Sequence, residues 1–185
     1  MTLAYLFWHW RREGVDAGDY EERQRAFHAA LAEAPPDGFR RSASFALAGV
    51  PWASAGGEAY EDWYLVDSFA ALGTLNDAAV TASRRLPHDR AAALAADGAG
   101  GVYRLRLGEA LASPRVAYWF GKPEGMGYDE LWRLLEPVAE GGAAVWLRQM
   151  VLGPARELCV QAEREADLPI ELGLPLRVDL RRVAP

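Results

Sequence analysis

Residues 117–120 read Ala-Tyr-Trp-Phe and repeat residues 4–7, which read Ala-Tyr-Leu-Phe near the other end of the chain. Each copy is followed by a loop and by a helical pattern that begins with a tyrosine and two acids, Tyr-Glu-Glu at residues 20–22 and Tyr-Asp-Glu at residues 128–130. Self-similarity in the same order along a chain indicates a duplicated structural unit. We therefore expect one small α+β unit that occurs twice.

The first unit is predicted to follow the order strand, helix, strand, strand, helix, strand. Aromatic and alternating runs predict strands, and apolar residues at helical spacing predict helices. The predicted strands cover residues 3–10, 39–48, 60–66 and 102–107, and the predicted helices end near residues 34, 80 and 97. The last helix starts at Pro87, and the glycines of residues 98–101 are expected to form a loop after it. Another loop, which includes Gly56, is expected at residues 49–58.

The second unit repeats this order in a shorter form. Its predicted strands cover residues 116–121, 143–152, 157–162 and 176–183, and its predicted helix covers residues 128–139. Where the second helix would lie, Pro169 and Gly173 leave room for only a turn or two. We therefore divide the chain into a first ferredoxin-like repeat at residues 1–112 and a second, shortened repeat at residues 113–185.

Each unit has the ferredoxin-like βαββαβ pattern, which builds a four-stranded antiparallel sheet with helices on one face. In the first strand Tyr5 and Phe7 alternate with Leu6 and Trp8, so both faces of the sheet are apolar. An apolar face that carries no helices must be covered, and the sheet of the other copy is the available cover. We expect most of the seven tryptophans to fill the space between the sheets.

This duplicated arrangement resembles the dimeric α+β barrel superfamily, which includes the antibiotic-biosynthesis-type monooxygenases, the EthD-like proteins and the chlorite dismutases. The resemblance covers nearly the whole chain and rests on element order and duplication, without a diagnostic residue motif. It implies an α+β fold of two tandem ferredoxin-like repeats, whose antiparallel sheets pack as a pseudo-dimeric α+β barrel. It also implies a small organic molecule or haem between sheet and helices or inside the barrel, in a monomer or a homodimer.

Composition excludes several classes of function. The net charge of −6 disfavours general binding to nucleic acids. No apolar run approaches the roughly 20 residues that a membrane-spanning helix needs. Cys159 is the only cysteine, which rules out an intrachain disulfide. Lys122 is the only lysine among 20 basic residues, a bias typical of GC-rich bacterial genes. We expect a cytoplasmic bacterial protein that binds neither nucleic acid nor membrane.

His9 is the sharpest single candidate for a functional residue. It ends the first strand on the face of Tyr5 and Phe7, and the second unit has Gly121 near the same place. A histidine at a strand end can also simply bond to backbone or water, and both interpretations stay open. Of the other histidines, His28 is expected on the flank of its helix, as a residue at the boundary between the buried and exposed faces, and His88 is expected to be solvated in the first turn of a short helix. The spacing of the three favours no metal site, and haem would depend on His9 alone.

The polar face of the second strand is the other candidate. Arg40, Ser42 and Ser44 alternate along it and, if they turn inward, would lie beside the aromatic residues of the neighbouring strands. That set suits a small anionic or phenolic ligand, whereas an edge strand with one wet face would look the same. The predicted ligand-binding residues are Tyr5, Phe7, His9, Arg40, Ser42, Ser44 and Tyr64.

Three functions remain open at this point. The first is a small-molecule binding protein with a cleft in the first repeat and no identified cofactor. The second, implied by the resemblance, is a cofactor-independent monooxygenase or isomerase, or a haem-binding enzyme. The third is a structural or partner-binding domain without a small-molecule site. The catalytic residues, if the protein is an enzyme, are unknown from sequence.

Overall fold

The computed structural model describes residues 1–53 and 57–185, and its elements follow the predicted order of two successive units. Gly56, part of the loop predicted at residues 49–58, lies outside the described residues. The first unit contains β1 (Leu3–Arg11), α1 (Ala17–Glu33), β2 (Phe39–Ala48), β3 (Glu58–Val66), α2 (Phe69–Ala79), α3 (Ala82–Ala92) and β4 (Ala95–Leu107). The second contains β5 (Val116–Phe120), α4 (Tyr128–Glu140), β6 (Ala144–Arg148), β7 (Leu158–Ala162), β8 (Leu176–Asp179) and β9 (Arg181–Ala184).

Both units have the ferredoxin-like strand order. The first pairs as β4-β1-β3-β2 and the second as β8-β5-β7-β6, with every pair antiparallel. The units join where β4 pairs with β6 and where β2 pairs with β9. Only Leu180 separates β8 from β9, so the two ends of the sheet belong to one extended segment. The sheet therefore closes into the pseudo-dimeric α+β barrel that the duplication predicts.

The barrel interior is filled by side chains from both units. Trp8 and Trp63 of the first unit meet Trp119 and Trp146 of the second, with ring centroids 5.8 Å apart for Trp8–Trp119 and 5.1 Å apart for Trp63–Trp146. All four indoles are essentially buried. The prediction that tryptophans fill the space between the sheets is confirmed for this group, and the interior is a packed core.

One carboxyl group lies inside this aromatic core. Glu61 is fully buried and accepts hydrogen bonds from the indole nitrogens of Trp8 and Trp63, each at 2.6 Å. Burial raises the pKa of Glu61 to about 7, although the two indole hydrogen bonds act in the opposite direction. The next residue, Asp62, points to the other face of β3, because successive side chains of a strand alternate.

The helices cover the outer face of each sheet. Asp16 begins α1 by accepting a hydrogen bond from the backbone nitrogen of Asp19 at 3.1 Å, and Ser68 begins α2 in the same way through Ala71, also at 3.1 Å. In the second unit a 3₁₀ turn, Ile170–Leu172, stands in place of a second helix, as the prolines and glycines predict. None of the helices in the described chain is long and apolar enough to cross a membrane.

Three predicted boundaries are wrong. The glycines of residues 98–101 form no loop, because they lie within β4 and pair with β1 along their whole length. Helix α3 starts at Ala82, and Pro87 lies inside it. Strand β6 ends at Arg148 because residues 149–152 turn there. The repeat boundary between residues 112 and 113 falls between β4 and β5 and stays a prediction.

Candidate small-molecule site

A cavity of about 720 Å³ lies between the sheet of the first unit and its three helices. Its volume falls in the range of roughly 300–1,000 Å³ that is typical of ligand pockets. The sheet contributes the floor and the helices contribute the walls. The aromatic residues around it are Tyr5, Phe7, Tyr20, Phe27, Tyr64 and Phe69.

The floor follows from the alternation of β1. Tyr5, Phe7 and His9 share one face of β1, as predicted, and this face points toward the helices, while Leu6 and Trp8 point into the barrel. The rings form a continuous row, with centroids 6.4 Å apart for Tyr5–Phe7 and 5.2 Å apart for Phe7–His9. This row provides a flat apolar surface on which another ring can stack.

A buried carboxylate lies beneath this surface. Asp62 is 1% exposed, and its Oδ2 accepts a hydrogen bond of 2.7 Å from the hydroxyl of Tyr64. His9 Nε2 lies 3.2 Å from Oδ1, and His28 Nε2 lies 3.4 Å from Oδ2. Neither histidine contact is aligned as a hydrogen bond, so both are close electrostatic contacts. Asp62 thus sits between two buried histidines.

Each histidine is also held on its other side. His9 Nδ1 bonds to the hydroxyl of Tyr20 at 2.6 Å, and His28 Nδ1 bonds to the hydroxyl of Ser42 at 2.7 Å. A continuous polar chain therefore runs from α1 through Asp62 to β2. Because both ring nitrogens of each histidine face a partner, the rings are fixed in orientation.

The charge of Asp62 dominates the electrostatics of the floor. Burial alone would raise the pKa of Asp62. Attraction to His9 and His28 outweighs the effect of burial and lowers the pKa well below its usual range. The group is therefore ionised at neutral pH. Burial, and next the charge of Asp62, raise the pKa of the hydroxyls of Tyr5 and Tyr64. These hydroxyls consequently stay protonated and can donate hydrogen bonds.

The described lining of the cavity contains no arginine or lysine to pair with an anion. Among the described residues that line it, the acids are Asp62 in the floor and Asp77 at the rim, and none is arginine or lysine. The chain has 20 arginines and lysines in total, so their absence from the described lining does not reflect a shortage of these residues in the chain. An anionic group would meet carboxylates without a strong counter-charge, and would lose hydration without compensation.

The structure brings together four of the seven residues predicted to bind a ligand. Tyr5, Phe7, His9 and Tyr64 line the cavity. The other three do not line it, and their role as ligand-binding residues stays a prediction. Ser42 lies behind the floor against His28, Arg40 is exposed and bonds to Asp67 at 2.5 Å and to Thr2 at 3.0 Å, and Ser44 is fully buried.

Sequence reasoning missed Asp62 and misplaced two histidines. Asp62, which was not singled out from the sequence, is flanked by two histidines. His28 is 1% exposed and not a boundary residue, because α1 turns that flank onto the sheet. His88 lines the cavity rim and packs against Phe27, with ring centroids 5.4 Å apart, so it is only partly solvated. A charged residue in the middle of an apolar strand was the signal for Asp62.

His9 is not placed to bind a metal ion or a haem iron. Within the described part of the chain, no group of three or more His, Cys, Asp or Glu side chains is arranged to hold a metal. A haem iron needs a free imidazole nitrogen on the cavity side. His9 does not offer one, since Nδ1 bonds to Tyr20 and Nε2 faces Asp62.

Comparison with solved structures agrees with this architecture. The chain is similar to a candidate monooxygenase from Fusobacterium nucleatum subsp. nucleatum ATCC 25586, with a TM-score of 0.63 and 7% identity over 98% of this chain and 92% of that one. It is similar to a candidate monooxygenase from Lactobacillus acidophilus NCFM, with a TM-score of 0.58 and 11% identity over 98% and 94%. It is also similar to an anthrone oxidase-like protein, with a TM-score of 0.53 and 12% identity over 98% and 91%.

The chain has the fold of a dimeric α+β barrel, with both halves of the barrel supplied by one chain. No family model matches the sequence, and no curated protein matches it. At these identities the structural similarity establishes the fold only. Function must therefore be argued from the site itself.

Proposed function

We propose that the protein binds an uncharged, ring-bearing small molecule in the cavity of the first repeat. The observation that carries this proposal is the make-up of the cavity: about 720 Å³, a row of stacked aromatic side chains, and no arginine or lysine among the described lining residues. In the second repeat Leu131 and Leu135 of α4 pack against the sheet, and a cavity of about 660 Å³ lies at the end of α4 with charged residues such as Arg164 and Glu165 in its lining. The aromatic lining of the first cavity, rather than its volume alone, argues against a purely structural role.

A hydrogen-bond donor on the ligand fits the polar groups of the site. The ionised Asp62 lies under the floor, and Asp77 stands at the rim. Both attract a hydroxyl or amino hydrogen and repel a carboxylate. Phenols and other hydroxyl-bearing rings are therefore the favoured ligand class. Arg40, which suggested an anionic ligand, bonds to Asp67 at the surface and does not line the cavity.

A matched ligand pair tests this charge preference. We expect 2-naphthol to raise the melting temperature and 2-naphthoate, of similar shape but negative, to leave it nearly unchanged. Ligand at about 100 times Kd adds roughly 2.7 kcal/mol, and each kcal/mol shifts the melting temperature of a chain this size by about 2–4 °C. An equal or larger shift with 2-naphthoate would contradict the proposal.

Tryptophan substitutions at two alanine positions test where the ligand binds. Ala79 at the end of α2 and Ala139 near the end of α4 are both half-buried, and only Ala79 lines the cavity. We expect Ala79→Trp to reduce the thermal shift with 2-naphthol, because the indole occupies cavity space, and Ala139→Trp to retain it. Loss of the shift in both variants, or in neither, would place the ligand elsewhere.

A second candidate function is cofactor-independent oxygenation of an anthrone-type substrate. The polar chain around Asp62 favours it, together with structural neighbours described as candidate monooxygenases and as anthrone oxidase-like. In this reaction one anthrone and one O₂ give one anthraquinone and one water. Oδ1 of Asp62, which has no aligned hydrogen-bond partner among the described residues, would accept the proton that the ring carbon releases before it reacts with oxygen, and His9 would hold this carboxylate in place.

Oxygen uptake with anthrone tests this second candidate. We expect uptake above the protein-free rate, with one anthraquinone formed per O₂ consumed, and a loss of at least about 100-fold in His9→Gln. His88→Gln is the matched control, since His88 lines the rim and lies outside the polar chain. Equal rates of oxygen uptake in both variants would show that His9 takes no part in the reaction. No uptake above the protein-free rate in the wild type would contradict the oxygenase function.

The oligomeric state and location belong to the same proposal. The closed barrel already contains the sheet-to-sheet interface within one chain, which supports a monomer, while a homodimer through other surfaces remains compatible. We propose a cytoplasmic protein, in keeping with its single buried cysteine. Light scattering coupled to size-exclusion chromatography distinguishes 20.3 kDa from twice that mass.

A further inference from the structure

The cavity occurs in the repeat whose last strand is extended. Strand β4 has 13 residues and its counterpart β8 has 4. Residues 95–101 of β4 lie beside the second half of β1, whereas β8 begins at Leu176, opposite Trp119 of β5. The extension therefore widens the floor under the helices in the first repeat alone, and it contains the glycines that sequence reasoning assigned to a loop.

Two of these glycines lie directly under the aromatic row. Gly98 pairs with His9 and Gly100 pairs with Phe7, so both face the helix side of the sheet. A Cβ atom at Gly98 would lie 2.5 Å from Cζ of Phe7, and one at Gly100 would lie 2.7 Å from the hydroxyl oxygen of Tyr5. The rings of Phe7 and Tyr5 therefore lean across β4 and occupy the space that side chains would take.

Backbone conformation does not explain these glycines. Neither residue has a positive φ, and a glycine inside a strand weakens it through conformational entropy. At Gly100 the atoms nearest a Cβ all belong to Tyr5, so alanine would be the more stable choice there if no ring lay above it, whereas at Gly98 the carbonyl oxygen of Trp8 would also lie 2.8 Å from a Cβ. These glycines are therefore explained by the space that the rings of Phe7 and Tyr5 occupy, and not by a backbone conformation that only glycine adopts.

We propose that Gly98 and Gly100 are specificity-determining positions that set the depth of the cavity. By letting Phe7 and Tyr5 lie flat, they keep the floor low enough for a ligand with fused rings. A side chain at either position raises the ring above it toward the helices, because the β1–β4 ladder holds both backbones in place. This inference rests on the proposed binding function and adds the size class of the ligand.

Graded ligands test the inference. We expect Gly100→Ala to weaken binding of 2-naphthol at least 10-fold and binding of phenol less than 3-fold, because only the larger ring needs the low floor. Gly121→Ala is the control, since a Cβ there meets nothing within 4 Å, and it should change neither affinity. Equal weakening of both ligands by Gly100→Ala would overturn the inference.

A compensating variant separates a steric effect from misfolding. Tyr5→Leu removes the ring that a Cβ at residue 100 would displace, so we expect Gly100→Ala to weaken 2-naphthol binding much less in the Tyr5→Leu background than in the wild type. An equal loss in both backgrounds, with a native circular dichroism spectrum, would contradict the proposal. If the wild-type protein binds neither ligand, the proposed function fails and takes this inference with it. If the wild type binds both and Gly100→Ala has no effect, only this inference fails.

Discussion

Asp62→Asn is expected to lower the free energy of unfolding by about 3–5 kcal/mol, because removal of one partner from a buried charge cluster leaves the others uncompensated. His9 and His28 are each 1% exposed and lie within 3.4 Å of this carboxylate. The amide replaces the shape of the carboxylate but not its charge. Urea denaturation measures the effect as a lower midpoint at an unchanged slope.

An exposed aspartate at the end of the same strand serves as the control. Asp67 pairs with Arg40 at 2.5 Å, and both side chains are about half exposed, at 53% and 47%. We expect Asp67→Asn to change stability by less than about 1 kcal/mol. Similar losses in the two variants would show that Asp62 does not hold a buried charge cluster together.

The same carboxylate also determines the response to acid. The pKa of Asp62 is lowered in the folded protein, so its stabilising contribution is present above the unfolded pKa of about 3.9 and is lost as pH falls through the folded pKa. Wild-type protein should therefore lose more stability than Asp62→Asn between about pH 4 and the folded pKa.

Glu61→Gln is expected to remove a loss of stability that the wild-type protein shows between about pH 5 and pH 8. The pKa of Glu61 is raised from 4.5 to about 7 in the folded protein, so its favourable contribution is fully present below the unfolded value and is lost as pH rises through the folded value. A difference of this size corresponds to about 3 kcal/mol. Glutamine has no proton to lose in this range.

In this second experiment, the quantity to compare between variants is the slope of the free energy of unfolding against pH. Glutamine accepts only one of the two indole hydrogen bonds, so the absolute stability of the variant also shifts at every pH. Glu163→Gln, on the surface, should keep the wild-type slope. Parallel stability curves for wild type and Glu61→Gln would mean that Glu61 does not titrate in the folded core.

Glu61 and Asp62 are neighbours in β3, and their pKa values shift in opposite directions because the two side chains lie on opposite faces of the strand. Glu61 points into the barrel, where indole hydrogen bonds do not offset the cost of burial. Asp62 points to the helix layer, where two histidines more than offset it. Adjacent positions thus separate in pKa because alternation sends them into different surroundings.

The repeat and the barrel could be predicted because they depend on local patterns. The motif at residues 4–7 and 117–120 marks equivalent strands, and alternation within β1 places Tyr5, Phe7 and His9 on one face. Both signals need only the neighbours in sequence. The pairing of the two sheets then follows from the apolar faces that the strands leave uncovered.

The polar chain could not be predicted because it depends on long-range placement. His28 reaches Asp62 only when α1 packs across β3, and no local pattern records how a helix rotates on a sheet. A register shift between Phe39 and Arg41 lies beside Arg40, where the strand begins. The glycines of β4 were assigned to a loop because glycine favours loops locally. In the structure they lie within the strand, where the rings of β1 occupy the space that larger side chains would need.

The central claim is that the cavity over Tyr5, Phe7 and Tyr64 is the functional site. A crystal structure with 6-bromo-2-naphthol tests it most directly, because anomalous scattering locates the bromine without interpretation of weak density. We expect one strong bromine peak between the β1 rings and α2. A peak outside this cavity, or none at a ligand concentration that saturates the thermal shift, would contradict the claim.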